Sequence, residues 1–258
     1  MNFSNKVILI AGASSGMGRA LALRLAKEGA HLIVTARRKD RLESLSNEIQ
    51  QQGGQCLPLA ADAQDPDAAA QVVAAGISQF GHIDLAVLNT GGAPALDMRQ
   101  MSAREVTATM RSNYDTVVNY LFPILAQMVK QKGGIVAHTN SLAGFLGVPL
   151  QGPYSAAKGA LRLLFDTCRI EFAPMGIRFI SIYPGFVATE ATASDGMPAP
   201  LEISEAQAVD HILFALRKQR SDYLFPWTLR WLVRLAGVLP KALTNWILHF
   251  EVPPVPKP

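Results

Sequence analysis

The chain is poor in cysteine and in charged residues: its 258 residues include two cysteines, and charged side chains make up 17% against 49% hydrophobic ones. Cys56 and Cys168 lack the spacing of a metal site, so we expect no bound metal and free, buried thiols in a reducing compartment. No long basic run with interleaved aromatic residues is present, and the net charge of +4 therefore does not indicate nucleic-acid binding. This composition is typical of a globular protein with a large buried core.

Long hydrophobic runs are missing as well. No stretch approaches the roughly 18 uncharged apolar residues that identify a membrane-spanning helix. The apolar run from Val7 to Ala11 leads directly into glycines and is too short for the core of a signal peptide. On these grounds we expect the protein to be cytoplasmic.

Short apolar runs alternate with helical patterns along the chain. Such alternation is typical of βα units, whose crossovers are right-handed and whose strands are parallel. Neither an internal repeat nor a linker interrupts the series, so one domain over residues 1–258 is expected. We predict an α/β fold with a Rossmann-type, doubly wound parallel sheet of about seven strands. The core would cover 5–225, followed by a helical C-terminal tail over 226–258; the segment 190–203 has no periodicity and is interpreted as a flap.

A glycine-rich turn follows the first predicted strand and precedes a helical pattern. Glycines allow backbone N–H groups to approach a phosphate, and a helix N-terminus favours negative charge. The spacing is G-x-x-x-G-x-G, which differs from the general dinucleotide fingerprint G-x-G-x-x-G. In this strand–turn–helix context it predicts a phosphate site formed by Gly12, Ser14, Ser15, Gly16, Met17 and Gly18.

Arg37 and Arg38 stand at the end of the second predicted strand. At this place an acidic residue binds the ribose 2′-hydroxyl of NAD, whereas an arginine accommodates the 2′-phosphate of NADP. Position 36 is alanine, so no carboxylate is available to repel that phosphate. The alternative is a solvated helix start, because Lys39 and Arg41 continue the positive charge. We predict a preference for NADP(H).

Tyr154 and Lys158 stand four residues apart in a predicted helix, which puts both side chains on the same side. A nearby cation favours the phenolate and would lower the pKa of the phenol toward neutrality. Such a phenol suits a proton donor or acceptor. The alternative is an ordinary amphipathic helix, because Leu161, Leu164 and Phe165 recur at core spacing.

Taken together, these motifs resemble those of the short-chain dehydrogenase/reductase family over roughly residues 5–225. The family's T-G-x-x-x-G-x-G turn corresponds to the stretch from Ala11 to Gly18, and its N-A-G motif corresponds to Asn89-Thr90-Gly91. Two departures, Ala11 and Thr90, concern the support of the cofactor and not the chemistry. The family's catalytic Asn, Ser, Tyr and Lys and its P-G motif fall on Asn113, Ser141, Tyr154, Lys158, Pro184, Gly185 and Thr189.

The resemblance implies hydride transfer between a nicotinamide and a carbonyl/alcohol pair. Tyr154 would exchange the proton, Lys158 would lower its pKa and bind the ribose, Ser141 would hold the substrate oxygen, and Asn113 would hold a relay water. Two rivals remain: an NAD-linked alcohol dehydrogenase of the same fold and a non-catalytic nucleotide-sensing protein. Further cofactor contacts are expected at Asp62, which alternatively only caps a helix, and at Ala63, Asn89, Gly91, Tyr154, Lys158, Pro184, Gly185, Val187 and Thr189.

A long helical pattern is predicted from Ala103 to about Lys130, with a kink at Pro123. Asn113 lies within it and, considered alone, would be solvated. This helix and the helix of Tyr154 carry second apolar stripes, and in the family such helices commonly build dimers and tetramers. A homodimer or homotetramer is therefore expected.

All three tryptophans, Trp227, Trp231 and Trp246, lie in the tail, beyond the last predicted strand. The tail is interpreted as a helical pair packed on the substrate cleft or on another subunit. A peripheral membrane contact is the alternative, because Arg230 and Arg234 accompany the aromatic residues. In either case an apolar tail beside the flap suggests a bulky, apolar carbonyl substrate, such as a keto-lipid, a steroid-like ketone or a 3-oxoacyl group.

Overall fold

The computed structural model describes residues 1–190, 192, 199 and 201–249. Its strands are β1 (Val7–Ala11), β2 (His31–Ala36), β3 (Gln55–Ala60), β4 (Leu85–Leu88), β5 (Gly134–Thr139), β6 (Ile177–Pro184), β7 (Val187–Ala188), β8 (Ile203–Ser204) and β9 (Asp222–Phe225). Seven of them form one sheet in the order β3-β2-β1-β4-β5-β6-β9, and all its pairings are parallel. This confirms the predicted Rossmann-type sheet.

The helices are α1 (Gly16–Lys27), α2 (Lys39–Gln51), α3 (Pro66–Phe80), α4 (Ala103–Asn113), α5 (Asp115–Lys130), α6 (Gly152–Glu171), α7 (Glu205–Lys218), α8 (Trp227–Val238) and α9 (Lys241–His249). Side chains of α1, α2 and α7 cover one face of the sheet, and those of α3, α5 and α6 cover the other. None of the helices in the described ranges is both long and apolar enough to cross a bilayer.

The first strand, β1, is a short apolar run that lies in the centre of the sheet. Side chains alternate between the two faces of a strand, and both faces of this sheet are covered. Ile8 and Ile10 therefore enter one core, whereas Val7 and Leu9 enter the other. The order of the sheet reverses between β1 and β4, and open parallel sheets bind ligands at the carboxyl ends of the strands at such a point.

The predicted single helix from Ala103 to Lys130 is wrong. The chain forms two helices that are separated at Tyr114, and Pro123 lies inside the second one, α5. Burial of Tyr120, Leu121, Ile124 and Leu125 on both sides of the proline holds α5 together there.

The tail is helical, as predicted, through His249, whereas Phe250 and the residues after it lie outside the described range. Its first helix packs Leu229 and Val233 against the buried side chains of Leu142, Tyr183 and Leu224. The tail therefore rests on the segment after β5 and on the last residues of β6 and β9. Most of the predicted flap over 190–203 lies outside the described residues.

Candidate active site

A cavity of about 1580 Å³ opens at the carboxyl ends of the parallel strands. It is lined by the turns after β1, β2, β3, β4, β5 and β6, because the carboxyl ends of these parallel strands share one edge of the sheet. Of the predicted site residues, Gly18 and Asn113 do not line it. The others do: Gly12, Ser14, Ser15, Gly16, Met17, Arg37, Arg38, Asp62, Ala63, Asn89, Gly91, Ser141, Tyr154, Lys158, Pro184, Gly185, Val187 and Thr189.

The glycine turn has a shape that side chains would obstruct. Gly12 has a φ of +84°, and a Cβ atom there would lie 2.8 Å from the carbonyl oxygen of Asn89. A Cβ atom on Gly18 would lie 2.0 Å from the carbonyl oxygen of Gly12, so Gly18 lies beneath the turn and lets α1 pack closely. Such a bare backbone turn at the start of a helix fits the pyrophosphate of a dinucleotide.

The glycine turn is supported although Ala11 stands where the family pattern has a threonine. The backbone N–H groups of Gly12 and Ala13 both donate to the carbonyl oxygen of Thr35, at 2.8 and 3.2 Å. The side-chain amide of Asn89 donates to the carbonyl oxygen of Gly12 at 3.4 Å. The backbone of β2 and the side chain of Asn89, directly after β4, thus brace the turn without the missing hydroxyl.

The two predicted arginines occupy different positions at the rim of the cavity. The guanidinium of Arg38 folds over the glycine turn, where Nε and Nη2 donate to the hydroxyl of Ser14 at 3.2 and 3.0 Å. Arg37 is exposed, and no hydrogen bond or ion pair connects it to the described part of the chain. A guanidinium group that faces a cavity without a partner fits a phosphate.

An acidic partner of Arg38 and of the nearby Arg41 was not found from the sequence. The carboxylate of Glu190 pairs with Arg38 at 3.5 Å and with Arg41 at 3.3 Å. Glu190 lies more than 140 positions along the chain from either arginine, and no local pattern joins them. Glu190, the first residue of the predicted flap, therefore places a negative charge at the rim of the cavity, where a phosphate would bind.

Tyr154 and Lys158 lie on the same side of α6, as predicted, but the expected effect on the phenol is wrong. The ammonium Nζ of Lys158 lies 5.6 Å from the centroid of the Tyr154 ring and donates to the carbonyl oxygen of Thr139 at 3.0 Å. Burial raises the pKa of Tyr154 above its usual value, while an interaction with the side chain of Ser141 lowers it. Burial also lowers the pKa of Lys158 to about 8. Burial therefore dominates over attraction between the pair.

Asn113 is buried, so its interpretation as a solvated residue is wrong. Its side-chain Oδ1 accepts from the backbone N–H of Gly92 at 3.0 Å, and its Nδ2 donates to the carbonyl oxygen of Thr109 at 3.1 Å. A Cβ atom on Gly91 would lie 2.6 Å from that Oδ1 and 3.6 Å from Nζ of Lys158. The amide of Asn113 and the ammonium of Lys158 therefore both lie next to position 91, where only glycine fits.

Thr90, the second departure from the family pattern, is held against α5. Its hydroxyl donates to the hydroxyl of Thr116 at 3.2 Å. The added side chain thus has a partner on the wall of the cavity.

Asn140 is a structural residue of the site that the sequence analysis missed. Its side-chain Nδ2 donates to the carbonyl oxygen of Lys158 at 3.1 Å, and its Oδ1 accepts from the N–H of Ser141 at 2.8 Å. The hydroxyl of Ser141 in turn accepts from the N–H of Ala143 at 3.1 Å. Asn140 therefore fixes the end of β5 against α6. The available signal in the sequence was an asparagine at the end of a predicted strand.

The buried Lys158 should make the folded protein less stable than it would be without this charge. Its pKa is about 8 in the folded chain against an ordinary 10.5, so the unfolded chain binds more protons between these values. The destabilisation is fully present below about pH 8 and disappears as the pH rises toward about 10.5. We expect Lys158→Met to raise the free energy of unfolding by up to about 3 kcal/mol at neutral pH.

Urea unfolding of both proteins at neutral pH and near pH 10 would measure this difference. The gain should shrink at the higher pH. A variant that is less stable than the parent at both pH values would contradict the expectation.

Fold and cavity together define a Rossmann-type α/β protein with a ligand cleft where the order of its strands reverses. Residues 6–198 match the family model of the short chain dehydrogenases. The chain belongs to the short-chain dehydrogenase/reductase family. It is an oxidoreductase that acts on CH–OH or carbonyl groups with a nicotinamide cofactor.

Known relatives agree with this assignment. An uncharacterized oxidoreductase of Myxococcus xanthus is 33% identical over 240 residues, which cover 93% of this chain and 95% of the relative. A 3-oxoacyl-[acyl-carrier-protein] reductase of Staphylococcus epidermidis is 32% identical over 73% of this chain and 78% of its own length. A crystal structure of a short-chain type dehydrogenase/reductase from Mycobacterium marinum is similar with a TM-score of 0.80 and 27% identity, covering 93% of this chain and 98% of that one.

Proposed function

We propose that this oxidoreductase uses NADP(H) and reduces bulky, apolar ketones or aldehydes. The observation that carries the proposal is the guanidinium of Arg37, which has no partner in the described part of the chain and lies at the rim of the same cavity that Tyr154, Lys158 and Ser141 line. A phosphorylated dinucleotide would extend from the arginine, across the glycine turn, toward the tyrosine. The name of the Staphylococcus relative, a reductase of 3-oxoacyl groups, supports carbonyl reduction.

The bound nicotinamide supplies the hydride, and the protein manages orientation and the proton. Tyr154 donates its hydroxyl proton to the carbonyl oxygen, and the Ser141 hydroxyl donates a hydrogen bond to the same oxygen. Asn113 holds a water that returns a proton by way of Lys158. In the direction of alcohol oxidation the same groups act in reverse.

Lys158 stabilises the charge that appears on Tyr154 during this transfer. With a pKa of about 8, the amine is mostly protonated at neutral pH. Once Tyr154 gives up its proton, a phenolate and an ammonium lie together in a buried site, where opposite charges attract strongly. On this proposal the lysine acts on the transient phenolate, which is consistent with the raised pKa of the resting phenol.

The walls near Tyr154 support an apolar substrate. The loop after β5 and the C-terminal tail both contribute aliphatic side chains to the cavity. These are Leu142, Leu146, Val148, Leu229, Val233 and Leu248. A keto-lipid, a steroid-like ketone or a 3-oxoacyl group would fit such a lining.

NADPH consumption measured with a panel of carbonyl compounds would test the proposal. We expect turnover with large apolar ketones, less with small polar ones, and slower reaction with NADH. Faster reaction with NADH would favour the NAD-linked dehydrogenase. Binding of NADPH without turnover of any carbonyl or alcohol would favour the nucleotide-sensing protein.

We propose a cytoplasmic setting and a homodimer or homotetramer. The two buried free thiols, Cys56 and Cys168, support a reducing compartment. Exposed apolar side chains on the outer surfaces of α5 and α6, among them Phe122, Leu163 and Ile170, support an interface between copies of the chain. Sedimentation equilibrium should give a mass of at least two chains, and a mass of 27.8 kDa would contradict the oligomer.

Glu190 should weaken the binding of the phosphorylated cofactor. Its carboxylate already pairs with Arg38 and Arg41, so a 2′-phosphate must compete with it. We expect Glu190→Gln to tighten NADPH binding by about twofold to fivefold, the range of exposed ion pairs, and to leave NADH binding unchanged.

Titration of the bound nicotinamide's fluorescence would measure both dissociation constants. Glu202→Gln is the matched control, because Glu202 lines the same cavity and has no ion pair with an arginine in the described part of the chain. Equal changes for NADPH and NADH, or weaker NADPH binding, would count against this competition.

A further inference from the structure

The C-terminal helices expose large apolar side chains to solvent. In α8 the side chains of Trp227 and Trp231 are 72% and 57% exposed, and in α9 that of Trp246 is 62% exposed. The exposed aliphatic side chains of the two helices are Leu232, Leu235, Val238, Leu243 and Ile247. We call this set, tryptophans included, the tail surface. A soluble monomer rarely leaves so many apolar side chains in water on two consecutive helices.

The charged side chains within the described part of the tail have one sign. Residues 226–249 contain Arg230, Arg234 and Lys241 and no aspartate or glutamate. The guanidinium carbons of Arg230 and Arg234 lie 5.5 and 5.8 Å from the ring of Trp231, within the range of cation–π contacts. Tryptophan rings and basic groups are thus combined on one short stretch of exposed chain.

The opposite side of the tail faces the cavity. Leu229 and Val233 of α8 and Leu248 of α9 line it, and the first two also pack against Leu142 and Tyr183. The same two helices therefore have one side in the candidate substrate site and another in solvent. An apolar molecule that leaves the tail surface would be next to the cavity.

We propose that the tail surface binds the surface of an anionic phospholipid bilayer. Tryptophan and aliphatic side chains enter the boundary between headgroups and acyl chains, while arginine and lysine contact lipid phosphates. At 12 and 9 residues, α8 and α9 are each shorter than the roughly 20 residues that span a bilayer, so they lie in its plane.

A second copy of the chain is the less suitable occupant. Two tail surfaces that meet face to face would bring the arginines and lysines of both copies together, and residues 226–249 supply no carboxylate to pair with them. Like charges at an interface oppose association, whereas anionic headgroups neutralise them. Charge complementarity therefore favours the lipid surface.

Co-sedimentation with phospholipid vesicles tests the proposal on the full chain. We expect binding to vesicles that contain phosphatidylglycerol, much weaker binding to pure phosphatidylcholine, weakening by salt, and a blue shift of tryptophan emission on binding. One basic residue near an anionic surface changes affinity by about fivefold. The double variant Arg234→Glu/Lys241→Glu should therefore bind at least about 25-fold more weakly.

The double variant Lys130→Glu/Lys218→Glu is the matched control, because it changes the net charge equally on exposed residues of α5 and α7. It should keep most of the binding, whereas Trp231→Ser should lose at least about fivefold. Absence of binding to anionic vesicles at low salt, or equal loss in both charge variants, would overturn the proposal. So would a fall in the mass of the assembly on Trp231→Ser, because the occupant would then be a second copy.

Lipid binding is independent of the proposed reductase activity. None of Arg234, Lys241 and Trp231 lines the cavity, so these variants should retain NADPH oxidation with a water-soluble carbonyl compound. Retained oxidation also shows that the variants are folded. An inactive parent that binds anionic vesicles would count against the proposed function alone.

Discussion

Replacement of Tyr154 by phenylalanine is expected to lower kcat by about a thousandfold, within the range of a lost general acid. The phenol is the only proposed proton donor to the carbonyl oxygen, and phenylalanine keeps the ring while removing the hydroxyl. The glycine turn and the arginines are untouched, so the affinity for NADPH should stay within about twofold, well below the effect of one lost hydrogen bond to a charged group.

Single-turnover and steady-state rates, together with NADPH titration, would measure this result. Tyr223→Phe is a suitable control, because the hydroxyl of Tyr223 contacts His211 and does not line the cavity. Undiminished turnover in Tyr154→Phe would remove the tyrosine from the mechanism. Loss of NADPH binding would mean that the hydroxyl supports the cofactor and that its role in proton transfer is unproven.

Substitution Arg37→Ala should produce the second large effect. A hydrogen bond to a charged group contributes about 1.5–3 kcal/mol, so loss of the contact to the 2′-phosphate should raise the KM for NADPH by about tenfold to a hundredfold. NADH lacks this phosphate, and its KM should hardly change. The ratio of kcat/KM values for the two cofactors would therefore move toward NADH.

Lys39→Ala is the matched control for this variant. Lys39 is a neighbouring cation that pairs with Glu43 and does not line the cavity. It should change the two KM values little. If Arg37→Ala raises both KM values equally, the arginine acts on the fold of the rim and not on the phosphate.

Local sequence signals predicted the sheet because each strand of a parallel sheet is covered on both faces. The runs at β1 and β4 are therefore apolar throughout and end at glycine or asparagine. Most of the predicted site residues line one cavity, because they follow parallel strands whose carboxyl ends share an edge of the sheet. Helix spacing likewise predicted that Tyr154 and Lys158 share a side of α6.

Features that depend on contacts distant in sequence were not predictable in this way. The break between α4 and α5 at Tyr114 lies next to the buried Asn113, whose side chain accepts from the N–H of Gly92, and no helical period reveals such a contact. The direction in which the pKa of Tyr154 shifts depends on how deeply the complete fold buries its side chain. Glu190 meets Arg38 only because β2 and β6 end at the same edge of the sheet.

The most direct test of the central claim is the fate of a labelled hydride. NADPH deuterated at the transferring position of the nicotinamide should be incubated with the protein and a large apolar ketone, and the alcohol product examined by mass spectrometry. We predict one deuterium on the former carbonyl carbon with the parent protein and almost none with Tyr154→Phe in the same time. Absence of labelled alcohol from every carbonyl compound tried, under conditions in which NADPH is bound, would contradict it.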